Sequence, residues 1–148
     1  KVFRLYLLKG RRKTAVNAEW ACVKQRAADS PKGCWMDFHL PEPHAYLWLP
    51  EREKDEPDMD YLLRVRQWGR RWAETAQRVS GSRWTLTDLE WHDPEAVTVL
   101  VESFLLNLYV FDMYKAERKA VPELVAVEAE GFSAADLASV RQRAAEVN

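Results

Sequence analysis

Residues 84–113 read WTLTDLEWHDPEAVTVLVESFLLNLYVFDM, and the break in the middle decides the fold. Over 84–91 the aromatic, β-branched and aliphatic residues predict a strand, with Trp84, Leu86 and Asp88 on one face and Thr85, Thr87, Leu89 and Trp91 on the other. His92-Asp93-Pro94-Glu95 then starts a helix. Asp93 can accept a backbone hydrogen bond as N-cap, and Pro94 in the first helical position loses no N–H that the helix needs. The helix is expected to run to Lys119, before Pro122. Val97, Leu100, Val101, Phe104, Leu105, Leu108 and Phe111 form one stripe, while Val99, Leu106, Val110 and Met113 make the opposite side apolar too. A helix apolar on most sides must be covered on most sides, so it belongs inside a layered domain.

Working outward, residues 123–129 predict a further strand, Gly131 a turn, and Ser133 with Asp136 a capping box that opens a last helix. Upstream, 2–8 reads as the first strand, ending in the charged turn Lys9-Gly10-Arg11-Arg12-Lys13. A short helix follows over 18–28, with Asn17 as N-cap and Trp20, Val23 and Ala27 on one side. Residues 34–40 and 45–49 form two strands joined through Pro41-Glu42-Pro43 as a hairpin. Tyr61, Val65, Trp68, Trp72, Ala76 and Val79 then mark an amphipathic helix closed by Gly81. The order β-α-β-β-α-β-α-β-α predicts an α/β fold with a mixed, mostly parallel five-stranded sheet layered by helices.

The chain has 148 residues, 47% of them hydrophobic, which suits one core and one domain. Charged side chains make up 30% but nearly cancel to a net charge of -1, so no global field favours nucleic acid or a membrane surface. Two cysteines do not make a secreted disulfide framework, and no apolar stretch reaches the roughly 20 residues of a membrane span. These features fit a reducing cytosol. The sequence ends inside a helical pattern, and the final helix, 133–148, is expected to lead on towards a further domain.

Chemistry-bearing patterns are sparse. Cys22, Cys34, His39 and His44 do not have the spacing of a structural zinc site, and they read as buried thiols and surface imidazoles. Single, scattered glycines give no phosphate loop, and no serine sits in a nucleophile elbow. Glu51, Glu53, Asp55 and Asp58 lie beside Arg52 and Lys54 as solvated loop charges. Arg64, Arg66, Arg70 and Arg71, with Arg11, Arg12 and Lys13, are the candidates for nucleic-acid contact, although a solvated helix face is the stronger reading. Of the seven tryptophans most should fill the core, with Trp68 and Trp72 as candidates for a subunit interface.

The run 106–115, LNLYVFDMYK, resembles the end of the long helix in the N-terminal domain of cytosolic leucyl aminopeptidases, where the pattern is approximately L-G-x-Y-x-F-x-x-Y-K. Tyr109, Phe111, Tyr114 and Lys115 carry the match, and Pro122-Glu123-Leu124 leading into a strand and then a helix repeats the order of parts. Asn107 stands where the family usually has glycine, and Ser103 where a small residue, often glycine, is expected, which implies a change in close helix packing.

The resemblance implies a macro-domain-like, non-catalytic N-terminal domain that helps order a hexamer and limits substrate access in a cytoplasmic metallo-exopeptidase. It implies no catalytic or metal-ligating residue and no cofactor in this chain. The two divalent ions, zinc or manganese, and the catalytic lysine and arginine belong to a C-terminal catalytic domain of the same chain. Motifs of that domain such as N-T-D-A-E-G-R-L do not occur here. Some bacterial members use this domain in DNA contact. The alternative is a stand-alone nucleic-acid or nucleotide binding module; an ADP-ribose site, which the macro-like fold invites, is disfavoured because a Gly-rich phosphate loop is missing.

Overall fold

Four of the seven residues in β1 (Val2–Leu8) are buried in succession, Leu5, Tyr6, Leu7 and Leu8, as expected of a strand covered on both sides. It is the middle strand of a five-stranded sheet in the computed structural model, which describes residues 2–9, 18–28, 33–38, 40–113 and 121–147. The other elements are α1 (Ala18–Ala27), β2 (Cys34–Asp37), β3 (His44–Trp48), α2 (Asp58–Ala76), β4 (Arg83–Asp88), α3 (Pro94–Met113), β5 (Glu123–Ala129) and α4 (Ala134–Val147). The strand order is β2-β3-β1-β4-β5; β3, β1, β4 and β5 run parallel and β2 pairs antiparallel with β3. The α/β class, the mixed and mostly parallel sheet and the hairpin are therefore as the sequence reading has them.

Alternation along β1 assigns the two faces. Phe3, Leu5 and Leu7 enter the larger core with Val65, Trp72, Leu100, Phe104, Leu137 and Val140 from α2, α3 and α4. Tyr6 and Leu8 face the other way into a smaller cluster with Trp20, Val23 and Ala27 of α1 and with Tyr46. Three helices thus cover one face and α1 the other. Helix α3 packs against both α2 and α4, which gives its broad apolar surface partners on several sides. Its stripe from Val97 to Leu108 is buried, while Val99 and Leu106 are only partly so.

Local chemistry sets the element ends. The expected 84–91 strand stops at Asp88 because its Oδ1 accepts the N–H groups of Glu90 and Trp91 at 3.0 and 2.8 Å, curling the chain into a turn. Asp93 caps α3 as expected, accepting the Ala96 N–H at 3.2 Å. Ser133 and Asp136 form the capping box: the Asp136 N–H donates to Ser133 Oγ at 3.2 Å and the Ser133 N–H to Asp136 Oδ2 at 2.8 Å. Gly131 turns into it at φ 77° and lies so close to Pro94 that a Cβ would come within 2.6 Å of its ring. The first hairpin strand is shorter than the 34–40 reading and ends at Asp37, whose carboxylate receives Arg26 and Tyr46 instead of extending the ladder. Helix α2 ends at Ala76 rather than near Val79, and α3 is described to Met113; the expected continuation to Lys119 and the Asn17 cap lie outside the described residues.

The helix packing at Ser103 is close, because a glycine sits on the facing helix. A Cβ on Gly69 of α2 would lie 2.6 Å from Ser103 Cβ and 2.8 Å from the Leu100 carbonyl oxygen. Ser103 Oγ donates to the Arg66 carbonyl oxygen at 2.6 Å, and Asn107 Nδ2 donates to the Ser103 carbonyl oxygen at 2.7 Å. Trp72, a candidate interface residue by sequence, is instead fully buried, stacked on Phe104 with ring centroids 3.7 Å apart. Trp68, also such a candidate, is partly buried beneath the guanidinium of Arg71, 4.5 Å from its ring.

Candidate functional site

In open α/β sheets a ligand crevice forms beyond the carboxyl ends of strands whose following helices leave to opposite faces. Here the chain after β1 passes to α1 and the chain after β4 to α3, so the crevice falls between Leu8 and Asp88. Side chains of β4's following turn and of α1 meet there. Glu90, just past β4, accepts the Lys9 N–H at 2.8 Å, the indole N–H of Trp20 at 2.8 Å and the ammonium of Lys24 at 2.9 Å. Lys24 and Glu90 are 12% and 10% exposed at their side chains, so the pair is largely removed from solvent. Trp91 closes the top by donating its indole N–H to the Leu8 carbonyl oxygen at 3.0 Å, with the Lys9 ammonium over its ring. Asp88 is raised above the ordinary carboxylate range, chiefly by burial, against the pull of the backbone N–H groups that it accepts. This arrangement ties β1, α1 and the β4–α3 turn together, and among the described residues it engages the Glu90 carboxylate with three donors.

The four arginines of α2 do not converge. Arg64 and Arg71 lie on one side of the buried stripe and Arg66 and Arg70 on the other, as their positions in a 3.6-residue period require. Arg64 binds Glu56 and the Glu51 carbonyl oxygen, Arg70 pairs with Glu74, and Arg71 covers Trp68. Arg66 is exposed. Arg11, Arg12 and Lys13 lie outside the described residues. Of the aminopeptidase-like landmark, Tyr109 packs partly buried against the large core and Phe111 lies on α3, while Tyr114 and Lys115 fall outside the described residues.

The soft ligands do not gather either. Cys22 is exposed on α1, which corrects its reading as a buried thiol. Cys34 packs against the large core, where burial pushes its thiol up to about 12. His44 is half-buried rather than a surface imidazole, and His39 lies outside the described residues. Among the described residues no group of three or more His, Cys, Asp or Glu side chains could hold a metal ion.

A second concavity does exist, away from the crevice. A cleft of about 390 Å³ opens between α1 and the first half of β1, and its walls include Arg4, Tyr6, Glu19, Arg26, Glu42 and His44. Sequence reasoning missed it because these residues come from two strands, one helix and one loop and share no spacing. The one local hint is the parallel pairing that sets Arg4 beside His44 on neighbouring strands.

No family model and no curated protein matches this sequence. Among solved structures, a mutant of tomato leucine aminopeptidase superposes with a TM-score of 0.61 at 9% sequence identity, covering 97% of this chain. This chain spans 32% of the length of that one. The likeness is one of fold. No described helix is long and apolar enough to cross a membrane.

Proposed function

We propose that this chain is a non-catalytic N-terminal domain of a leucyl aminopeptidase-like metallo-exopeptidase, acting through packing in a hexamer and by limiting substrate access. The observation that carries the reading is the superposition of 97% of this chain on part of a leucine aminopeptidase. The Glu90 cluster supports it, because the crevice where an α/β domain ordinarily holds a ligand is occupied by side chains of the domain itself. In this reading the divalent ions, zinc or manganese, and the residues that polarise the peptide carbonyl belong to a C-terminal catalytic domain in the cytoplasm. This domain contributes surface alone.

The test uses the natural full-length protein. It should carry metal-binding carboxylates and a catalytic lysine beyond Asn148, hydrolyse a leucyl anilide only when loaded with a divalent ion, and sediment as a hexamer. A natural chain that ends at Asn148, or a full-length protein that stays monomeric at micromolar concentration and inert with every metal, rules the reading out. The alternative, a nucleic-acid or nucleotide binding module, predicts salt-sensitive DNA binding that is lost on replacing Arg66 and Arg70 with Glu. The division of the α2 arginines between two sides of the helix weighs against it.

A further inference from the structure

One face of α2 carries apolar side chains that the described residues leave largely uncovered. Met59 and Leu63 are 79% and 54% exposed, more than any other large apolar side chain among the described residues. They stand about one helical turn apart, so they form a single apolar step on the surface. Arg66 and Arg70 continue the same face at spacings of three and four, and Asp60 lies on it three residues before Leu63. Asp60 and Arg66 are exposed, and among the described residues neither side chain has an ion-pair or hydrogen-bond partner.

The charge along this part of the chain changes sign at the apolar step. Residues 51–60 hold six Asp and Glu side chains against two Arg and Lys, whereas residues 61–71 hold four arginines and no acid. Among the described residues one ion pair, Arg64 with Glu56, joins the two stretches, which leaves most of the imbalance in place. Arg70 pairs with Glu74 in the exposed i,i+4 geometry, which contributes little and leaves Arg70 open to a second carboxylate.

A face that is acidic on one side of an apolar centre and basic on the other is complementary to itself turned end for end. A uniformly acidic or basic partner would meet like charge on half of it. The net charge of -1 adds little general repulsion between copies. We propose that α2 pairs antiparallel with α2 of a second copy about a two-fold axis at Leu63. Asp60 and Arg66 lie three residues to either side of that axis, so each Asp60 is level with Arg66 of the other copy. The long arginine side chain spans the gap at the usual interaxial distance of about 9 Å. Met59 and Leu63 of both copies close the centre. The contact uses residues of this chain alone and goes beyond the peptidase reading, on which it does not rest.

Sedimentation equilibrium of the 148-residue chain, from about 10 μM to about 1 mM, tests the pairing. One helix face is a small interface, so a dimer with Kd on the order of 100 μM is expected in low salt, weakening several-fold at about 0.5 M NaCl. Leu63→Glu should weaken it about tenfold or more. Asp60→Lys and Arg66→Glu should each weaken it too, because each homodimer then faces like charges. Mixed in equal amounts, the two variants regain both opposite-charge contacts, so the mixture should associate about tenfold more tightly than either alone. All three positions are exposed, so the core is untouched. A chain that stays monomeric at about 1 mM overturns the proposal. So does a dimer indifferent to Leu63→Glu, whose contact lies elsewhere, and so does a mixture no tighter than its components, which rules out the antiparallel alignment.

Discussion

The two faces of the sheet are built on different principles. Under α2, α3 and α4 the contacts are aromatic and aliphatic, from the stacked Trp72 and Phe104 to Leu137 and Val140 of the last helix. Under α1 the buried cluster has six of the described residues, and a largely buried ion pair supplements them. Beyond α1 the same face becomes polar, with Arg4, Thr87 and Glu128 joined across β1, β4 and β5. Apolar burial fixes one side of the domain, and directional polar contacts fix the other. The difference explains why both concavities, the filled crevice and the open cleft, adjoin α1.

If the large face supplies most of the folding energy, Trp72→Ala should have the largest effect. Removing a buried tryptophan is expected to cost about 4 kcal/mol, read from the midpoint of urea unfolding. On the other face, Glu90→Ala removes the carboxylate that Lys24, the Trp20 N–H and the Lys9 N–H share, a loss of about 3 kcal/mol. Its signature should be local: amides of α1 would exchange with solvent much faster while those of α3 keep their protection. Uniform loss of protection would show that the two faces unfold as one.

Gly69→Ala should cost about 2 kcal/mol through overpacking against Ser103 and Leu100. Ser103→Gly in the same chain should relieve part of that, giving a measurable coupling in a double-mutant cycle. The smallest effect belongs to the α4 cap, where Ser133→Ala should cost about 1 kcal/mol. The hydrogen bonds from Ser133 hold Asp136 below its ordinary carboxylate pKa. Their support is therefore present above that ordinary value and disappears as pH falls through the lower folded one, so the first turn of α4 should fray only in that acid range, as carboxyl NMR titration would record.

Much of the architecture was legible because it rests on local signals. The 2–8 and 123–129 strands, the Asp93-Pro94 helix start and the Ser133 capping box depend on residues within a few positions of one another, and the structure has them where the sequence places them. Trp68 and Trp72 differ in burial although both belong to one helical stripe, because only the position of α3 decides which of them is covered. Glu90 reads as a polar residue at a strand end, yet its partners are Lys9, Trp20 and Lys24, far away in sequence. The cleft was equally hidden, since it exists only once α1 is laid across β1 and β3. Asp88, read as one residue of a strand face, ends that strand by taking two backbone N–H groups, a choice made by side-chain chemistry rather than by periodicity.

The Gly69 and Ser103 contact also acts as an axial stop between α2 and α3. Sliding α2 by about one turn would bring Val65 or Ala73 opposite Ser103 in place of hydrogen, and would take the Arg66 carbonyl oxygen away from the serine hydroxyl. Two apolar helix faces could otherwise slip past each other through many alignments of similar energy. One missing side chain and one hydroxyl select a single alignment, and with it the height at which α3 presents Asp93 and its turn to the carboxyl end of the sheet.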